Sequence, residues 1–428
     1  MPDPDGSGVI VVNGYKVFHL ATLAEEYARK GRLNRLITGA YPYKRLMPLL
    51  AGLGALTPDA GRFAARRVQV CERRIVANWL GEGLCTAAIA VAPRSLAVYE
   101  TLNGRAVDMM SRAAIAVLKE QPAAQNVYHV RSGFGGRSFA TARALGYLTV
   151  CDHTIAHPFV IEGLIENGGA LDAAPVARVP EADIWRRAAK DLASSDHVLV
   201  NSDFVKQTFA RAGARTDNVH VVYLGIDDRF LDYLAAARTA GVPPRDRRLR
   251  MLFAGGVTQR KGMSTVAAAL TGLDDVDWQL TISGNVTPRF RSSIGGLLDD
   301  PRVRYLGVTP RDGLAARMAE ADVFVFPSLA EGSAKVVFEA LAAGCFVITT
   351  PNSGSIVEDG VHGFLIPPGD PAALADAIRR AASDRPMVAR IGVRNAALIP
   401  REYPQARYGE RVLGLFDRLL AARAAAPR

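Results

Sequence analysis

Residues 322–344 constrain the fold of this chain more than any other stretch. Val323, Phe324, Val325 and Phe326 form an unbroken apolar run, the pattern of a parallel strand covered on both faces. Pro327 ends that strand. Gly332 and Ser333 then supply a turn and an expected N-cap. The helix that follows is predicted to bury Val336, Val337, Ala340 and Leu341 and to stop at Gly344. Glu331 sits in the loop at the strand's carboxyl end, and Glu339 lies inside the helix. Open parallel sheets bind ligands outside the carboxyl ends of their strands, and a helix N-terminus suits a phosphate. Carboxylates accept hydrogen bonds from hydroxyls. The segment therefore reads either as a phosphate cradle with a carboxylate on each side, or as a strand–loop–helix unit with two ordinary glutamates.

The same unit recurs along the chain. Apolar strands are predicted at 9–12, 33–37, 125–130, 147–150, 195–202, 249–253, 278–282, 303–306 and 345–349, most followed by a helical pattern and several by glycine. Such alternation predicts an α/β chain of doubly wound sheets. Several strand ends carry polar groups. Gly14 follows the first strand, and His153 and His157 follow the 147–150 strand. Each has a plain reading, a turn or a structural imidazole, beside the functional one. Gly255, Gly256, Arg260 and Lys261 follow the 249–253 strand, where fixed positive charge precedes a helix.

Glu331 and Glu339 in Glu-x7-Glu spacing, with Pro327 and Ser328 ahead and Glu-Ala-Leu-Ala-Ala-Gly344 closing, resemble the retaining GT-B glycosyltransferases of family 4. The resemblance runs from about residue 221 to 382. It implies two Rossmann-like domains facing a cleft, residues 1–224 for the acceptor and 225–403 for a nucleoside diphosphate sugar, with a terminal helix (404–428) crossing back. It implies donor contacts from Gly255, Gly256, Arg260, Lys261, Gly284, Val308, Thr309, Glu331, Gly332, Ser333, Ala334 and Glu339. Glu331, His153 and Lys261 would take part in catalysis. Gly14 and His157 would lie on the acceptor or sugar side. The chain departs from the family at Gly256, where many members carry arginine, and Arg260 is the expected substitute. An epimerase or phosphorylase on the same fold, or a two-domain protein that only binds, stays open.

Composition limits the partners. The formal charge of +10 over 428 residues favours anionic ligands or surfaces. No nucleic-acid-binding motif accompanies it. Residues 41–80 mix Arg62, Arg66, Arg67, Arg73 and Arg74 with Phe63, Trp79 and Leu80, either a basic amphipathic patch for a membrane surface or a solvated helix face. Cys71, Cys85, Cys151 and Cys345 have no zinc or C-x-x-C spacing. No run is long enough to span a bilayer. A cytoplasmic enzyme, peripheral to the membrane at most, is expected. No Asp-x-Asp pair closes a strand, so neither a metal nor a cofactor besides the donor is expected.

Overall fold

The computed structural model describes residues 8–14, 19–47, 63–64, 66–92, 95–120, 126–241 and 247–425. Tyr15, Lys16, Arg62, residues 48–61 of the basic stretch and the linker prolines Pro243 and Pro244 lie outside them. The chain builds two sheets, each parallel throughout. The first holds β1 (Val9–Gly14), β2 (Leu33–Thr38), β3 (Ile75–Ala77), β4 (Val127–Arg131), β5 (Leu148–His153), β6 (His197–Val200) and β7 (Val219–Val221), in the order β3-β2-β1-β4-β5-β6-β7. The second holds β8 (Leu249–Ala254), β9 (Trp278–Ser283), β10 (Val303–Tyr305), β11 (Val323–Phe326), β12 (Phe346–Thr349) and β13 (Gly363–Leu365), in the order β10-β9-β8-β11-β12-β13. Strand order reverses between β1 and β4 and between β8 and β11. Those are the positions where doubly wound sheets open a crevice.

Burial follows the pleat. On β5, Val150 packs in one core with Tyr27 and Leu199, while Cys151 packs on the other face with Tyr128 and Val200. The terminal helix Gln405–Ala425 closes the first of these faces with Tyr408, Val412, Leu415 and Phe416. The chain changes domain between Leu224, in the first domain's core, and Ile226, in the second's. There Ile226 N–H donates to Tyr403 O (2.8 Å) and Gln405 N–H to Ile226 O (2.8 Å). An added Cβ on Gly225 would lie 2.8 Å from Pro404 O, so two crossing segments pass too closely for any side chain.

Two local expectations fail. Residues 66–80 do not form one continuous amphipathic helix. Phe63 and Ala64 are helical, and residues 66–80 hold a 3-10 turn (Glu72–Arg74), strand β3 and the start of the helix Trp79–Val91. Three of its arginines are engaged: Arg66 pairs with buried Glu82, Arg67 with Glu72 (3.5 Å), and Arg74 donates to Leu33 O. Ser333 is not an N-cap either. The helix Lys335–Ala343 starts after Ala334, with no side-chain cap. Instead Ala334 N–H donates to Ser353 O (3.0 Å), so a neighbouring loop fixes the entry that a hydroxyl would otherwise set. The C-terminal expectation holds, since Gly344 is left-handed at φ 92°.

Candidate active site

The second domain's crevice is walled by two loops, 255–262 after β8 and 327–334 after β11. Gly255 (φ 137°) and left-handed Gly262 (φ 78°) bend the first. The loops interlock through backbone: Leu329 N–H and Ser328 Oγ donate to Arg260 O at 2.8 and 2.9 Å. An irregular path lets adjacent Arg260 and Lys261 aim at one point. Lys261 Nζ lies 2.6 Å from Glu331 Oε1, and Arg260 pairs with the same oxygen while donating to Ala330 O (2.8 Å). Lys261 also sits over the Phe326 ring at 5.0 Å. Burial pulls its ammonium below the ordinary lysine range, and the neighbouring guanidinium adds to this, while Glu331 pulls back. Two cations thus converge on one carboxylate beside the start of a helix, with the Ser333 hydroxyl buried nearby and without a hydrogen-bond partner among the described residues.

Glu339 faces a different set. Arg311 Nη2 bridges Glu339 Oε1 (2.7 Å) and Asp227 Oδ2 (2.8 Å), and Lys335 Nζ reaches the same Asp227 oxygen (2.6 Å). Burial raises the Glu339 carboxyl, with Lys335 and Arg311 opposing. Burial also works to raise Asp227, but the Arg311 and Lys335 contacts outweigh it and hold the group well below the usual range. Glu339, Arg311, Lys335 and Asp227 line a cavity of about 510 Å³ that is shared with His19 and Tyr408 of the first domain.

The remaining expected residues fall in three places. Gly284 needs its missing side chain, because a Cβ would lie 1.7 Å from Gly255 O. Beside it, Ser283 Oγ donates to Thr309 Oγ1 (2.7 Å), and Val308 is largely exposed at the rim. Gly256 is not left-handed, and its nearest contact to an added Cβ is 3.8 Å away, so the space of the absent arginine is open. In the first domain, Gly14 ends β1 at φ 85° against the Phe134 ring. His153 is the last residue of β5, not beyond it, and both its nitrogens are used, by Ser132 Oγ (2.8 Å) and Ala156 O (3.2 Å). Burial depresses it to about 4. His157 packs on Phe209 and lines a separate cavity of about 460 Å³ with Ser195 and Asn218.

The domains touch at the site. Ser202 Oγ donates to Gly332 O, and Asn352 Nδ2 donates to Gly169 O (2.7 Å). Four residues of the shared cavity escaped the sequence reading: His19, Lys335, Arg311 and Asp227. Asp152, the residue before His153 near the end of β5, escaped it as well, and that position was its only local signal. Arg311 and Asp227 come from segments far apart in sequence and had none.

Residues 248–384 match a family model described as glycosyl transferases group 1. Over 153 residues the chain is 39% identical to the phosphatidyl-myo-inositol mannosyltransferase of Mycobacterium leprae, covering 34% of this chain and 39% of that one. Over 305 residues it is 24% identical to the amylovoran biosynthesis glycosyltransferase AmsK of Erwinia amylovora, covering 68% and 70%. Over 221 residues it is 32% identical to a D-inositol 3-phosphate glycosyltransferase of Streptomyces avermitilis, covering 47% of each. The match therefore spans less than half the length of two of these three relatives. Among solved structures, sucrose-phosphate synthase of Thermosynechococcus elongatus superposes at TM-score 0.65 with 19% identity over 97% of this chain and 100% of the other. HepE of Anabaena, solved with UDP and glucose, superposes at 0.62 with 16% identity over 96% and 99%. These likenesses identify the two-domain fold as GT-B.

Proposed function

We propose that this GT-B chain, whose residues 248–384 carry a glycosyl transferases group 1 domain, moves a sugar from a nucleoside diphosphate sugar to an acceptor hydroxyl with retention. The observation that carries the reading is the convergence of Arg260 and Lys261 on Glu331 at the β8/β11 crevice. A diphosphate there meets two cations and a helix N-terminus, and those charges are in place before the leaving group develops its own. Glu331 then faces the sugar. Glu339 receives the ribose hydroxyls after exchanging its bond to Arg311. The structure of HepE with UDP and glucose supports a nucleotide donor in this fold. The cations serve in place of a metal, so turnover continues in excess EDTA, and no cofactor besides the donor is used. His153 takes part only after exchanging one of its hydrogen bonds, since both its nitrogens are occupied.

The acceptor side we read as membrane-proximal, as the lipid named for the Mycobacterium relative suggests. The relevant surface is the helix Trp79–Val91. It exposes Trp79, Leu80 and Ile89, and Glu82, the one charged residue in its sequence, is buried.

A thermal-shift panel of UDP, GDP, ADP and TDP sugars, followed by an assay of nucleotide release, tests the reading. The right donor at 100 times its dissociation constant stabilises the fold by about 2.7 kcal/mol. Stabilisation with no turnover would leave a binding protein. Product formed without any acceptor would mark an epimerase.

A further inference from the structure

The loop that carries Glu331 is held from both domains, and one side chain joins the two holds. Asn352 lies in the 3-10 turn Pro351–Ser353 after β12 and is 4% exposed. Its backbone oxygen accepts from the Glu331 N–H at 2.9 Å. Its Nδ2 donates to Leu329 O at 2.7 Å and, across the interdomain contact, to Gly169 O at 2.7 Å. Two carbonyl oxygens demand the nitrogen end of the amide, and together they use both its hydrogens. Leu329 and Glu331 flank Ala330, which packs in the first domain's core and whose oxygen accepts from Arg260. The tip of this loop therefore rests in the first domain, while the residues on each side of it hang on Asn352. The domains meet here backbone to backbone. Gly169, left-handed at φ 91°, would place a Cβ 2.7 Å from the Pro368 Cβ and 3.3 Å from the Leu329 Cα. Left-handed Gly369 would place one 2.4 Å from Gly168 O. Glycine on each side lets Gly169 O reach the amide.

We infer that Asn352 is a positioning residue for Glu331, and that Gly169 O makes this positioning depend on domain closure. The inference rests on the glycosyl-transfer reading above, in which Glu331 faces the sugar. With the domains together, Nδ2 bridges Gly169 O and Leu329 O, and the backbone on both sides of Ala330 is fixed. With the domains apart, Gly169 O and the packing around Ala330 are withdrawn. One amide hydrogen then turns to water, and the hold on Leu329 O loosens. Glu331 loses its place relative to the sugar. Lys261 and Glu339 make no contact with Asn352, Gly169 or Ala330 and keep their grip on the diphosphate and the ribose. Closure in this way completes a site that binds its donor before it can turn it over.

The test takes the donor selected by the thermal-shift panel and follows nucleotide release to water. Asn352→Asp keeps the shape of the side chain but sets a carboxylate against two carbonyl oxygens. It is expected to lower kcat by about 10²-fold, the scale of a 1 Å misplacement of reacting groups, with donor Kd unchanged. A loop that merely collapsed would weaken donor binding as well, because Arg260 and Lys261 meet Glu331 there. Gly169→Ala leaves the second domain intact and is expected to lower kcat by a similar factor, again with donor Kd unchanged. The double variant is expected to lose no more than the worse single variant, because both act through one contact. If Asn352→Asp does not fold, Gly169→Ala carries the test by the same split of kcat from Kd. Hydrolysis at the wild-type rate by either variant overturns the inference and leaves the donor site standing. So does a donor Kd that weakens in step with kcat, or losses that multiply in the double variant. Absence of turnover by the wild type with every donor overturns the glycosyl-transfer reading, and this inference with it.

Discussion

At the scale of single residues, the phosphate clamp is the sharpest case. Lys261 is the more buried of the two cations, with a side chain 16% exposed against 32% for Arg260. A buried charge is screened less by water and salt. Lys261→Ala is therefore expected to reduce kcat/KM by about 10²-fold, and Arg260→Ala by about tenfold, on the scale of losing one charge-stabilising group. Steady-state kinetics with the selected donor check the order, and a larger loss at Arg260 would reverse the assignment. The open space at Gly256 gives a second prediction. Gly256→Arg should restore most of the activity lost in Arg260→Ala, since neither a positive φ nor a backbone atom opposes the side chain. No gain in the double variant would mean that an arginine at Gly256 cannot reach the leaving group.

At the scale of elements, the loop between β4 and the next helix shows how a turn is held from outside. Asp191, on the helix Asp183–Ser194, accepts from the N–H groups of Gly133, Gly135 and Gly136, each at 2.8 Å. Removing the carboxylate leaves three donors without a partner. Asp191→Ala should cost about 3 kcal/mol or more, given about 1–3 for each buried group left unsatisfied. Chemical denaturation reads this directly. Burial also pushes the Asp191 carboxyl up to about 6, against the pull of those N–H groups. A folded-state value above the unfolded one means that folding favours the protonated form. This contribution is full below the unfolded value of about 4 and is lost as pH rises through about 6. Asp191→Asn should flatten that part of the stability–pH curve while keeping an acceptor for the loop.

At the scale of the whole molecule, domain closure and surface chemistry are the quantities at stake. A Cβ on Gly332 would lie 1.8 Å from Thr154 O, across the interdomain contact. Backbone cannot yield there as a flexible side chain would. Gly332→Ala is expected to push the domains apart, visible as a larger radius of gyration in small-angle scattering. It should lower kcat/KM by about 10²-fold, the scale of a 1 Å misplacement of reacting groups. An unchanged radius would mean that the loop yields locally. The helix Trp79–Val91 belongs to the same scale. Sedimentation with anionic vesicles should bring the protein down, and Trp79→Glu with Leu80→Glu should abolish this, because charges added to an inserted face oppose burial. Equal solubility with and without vesicles would make that face an ordinary surface.

The sequence by itself determined the elements and their class. Apolar runs such as Val323–Phe326 mark strands buried on both sides, and glycines such as Gly344 mark where helices stop, because both signals are local. It also placed Arg260, Lys261 and Glu331 at strand ends, and a parallel sheet turns that position into a shared crevice. What it could not carry is any partnership made across distance. Ser333 resembles an N-cap, yet Ser353, reached only through the fold, fixes the helix entry. His153 has the local position of a site residue, yet the fold uses up both its nitrogens. Asp152 next to it is silent in sequence because its partners, His19 and His129, stand 133 and 23 residues away. The basic stretch of residues 61–80 has the composition of an amphipathic helix, but Glu82 and Glu72 hold Arg66 and Arg67. Local pattern fixes which backbone forms; which buried charge finds which partner is decided only when the sheets pack.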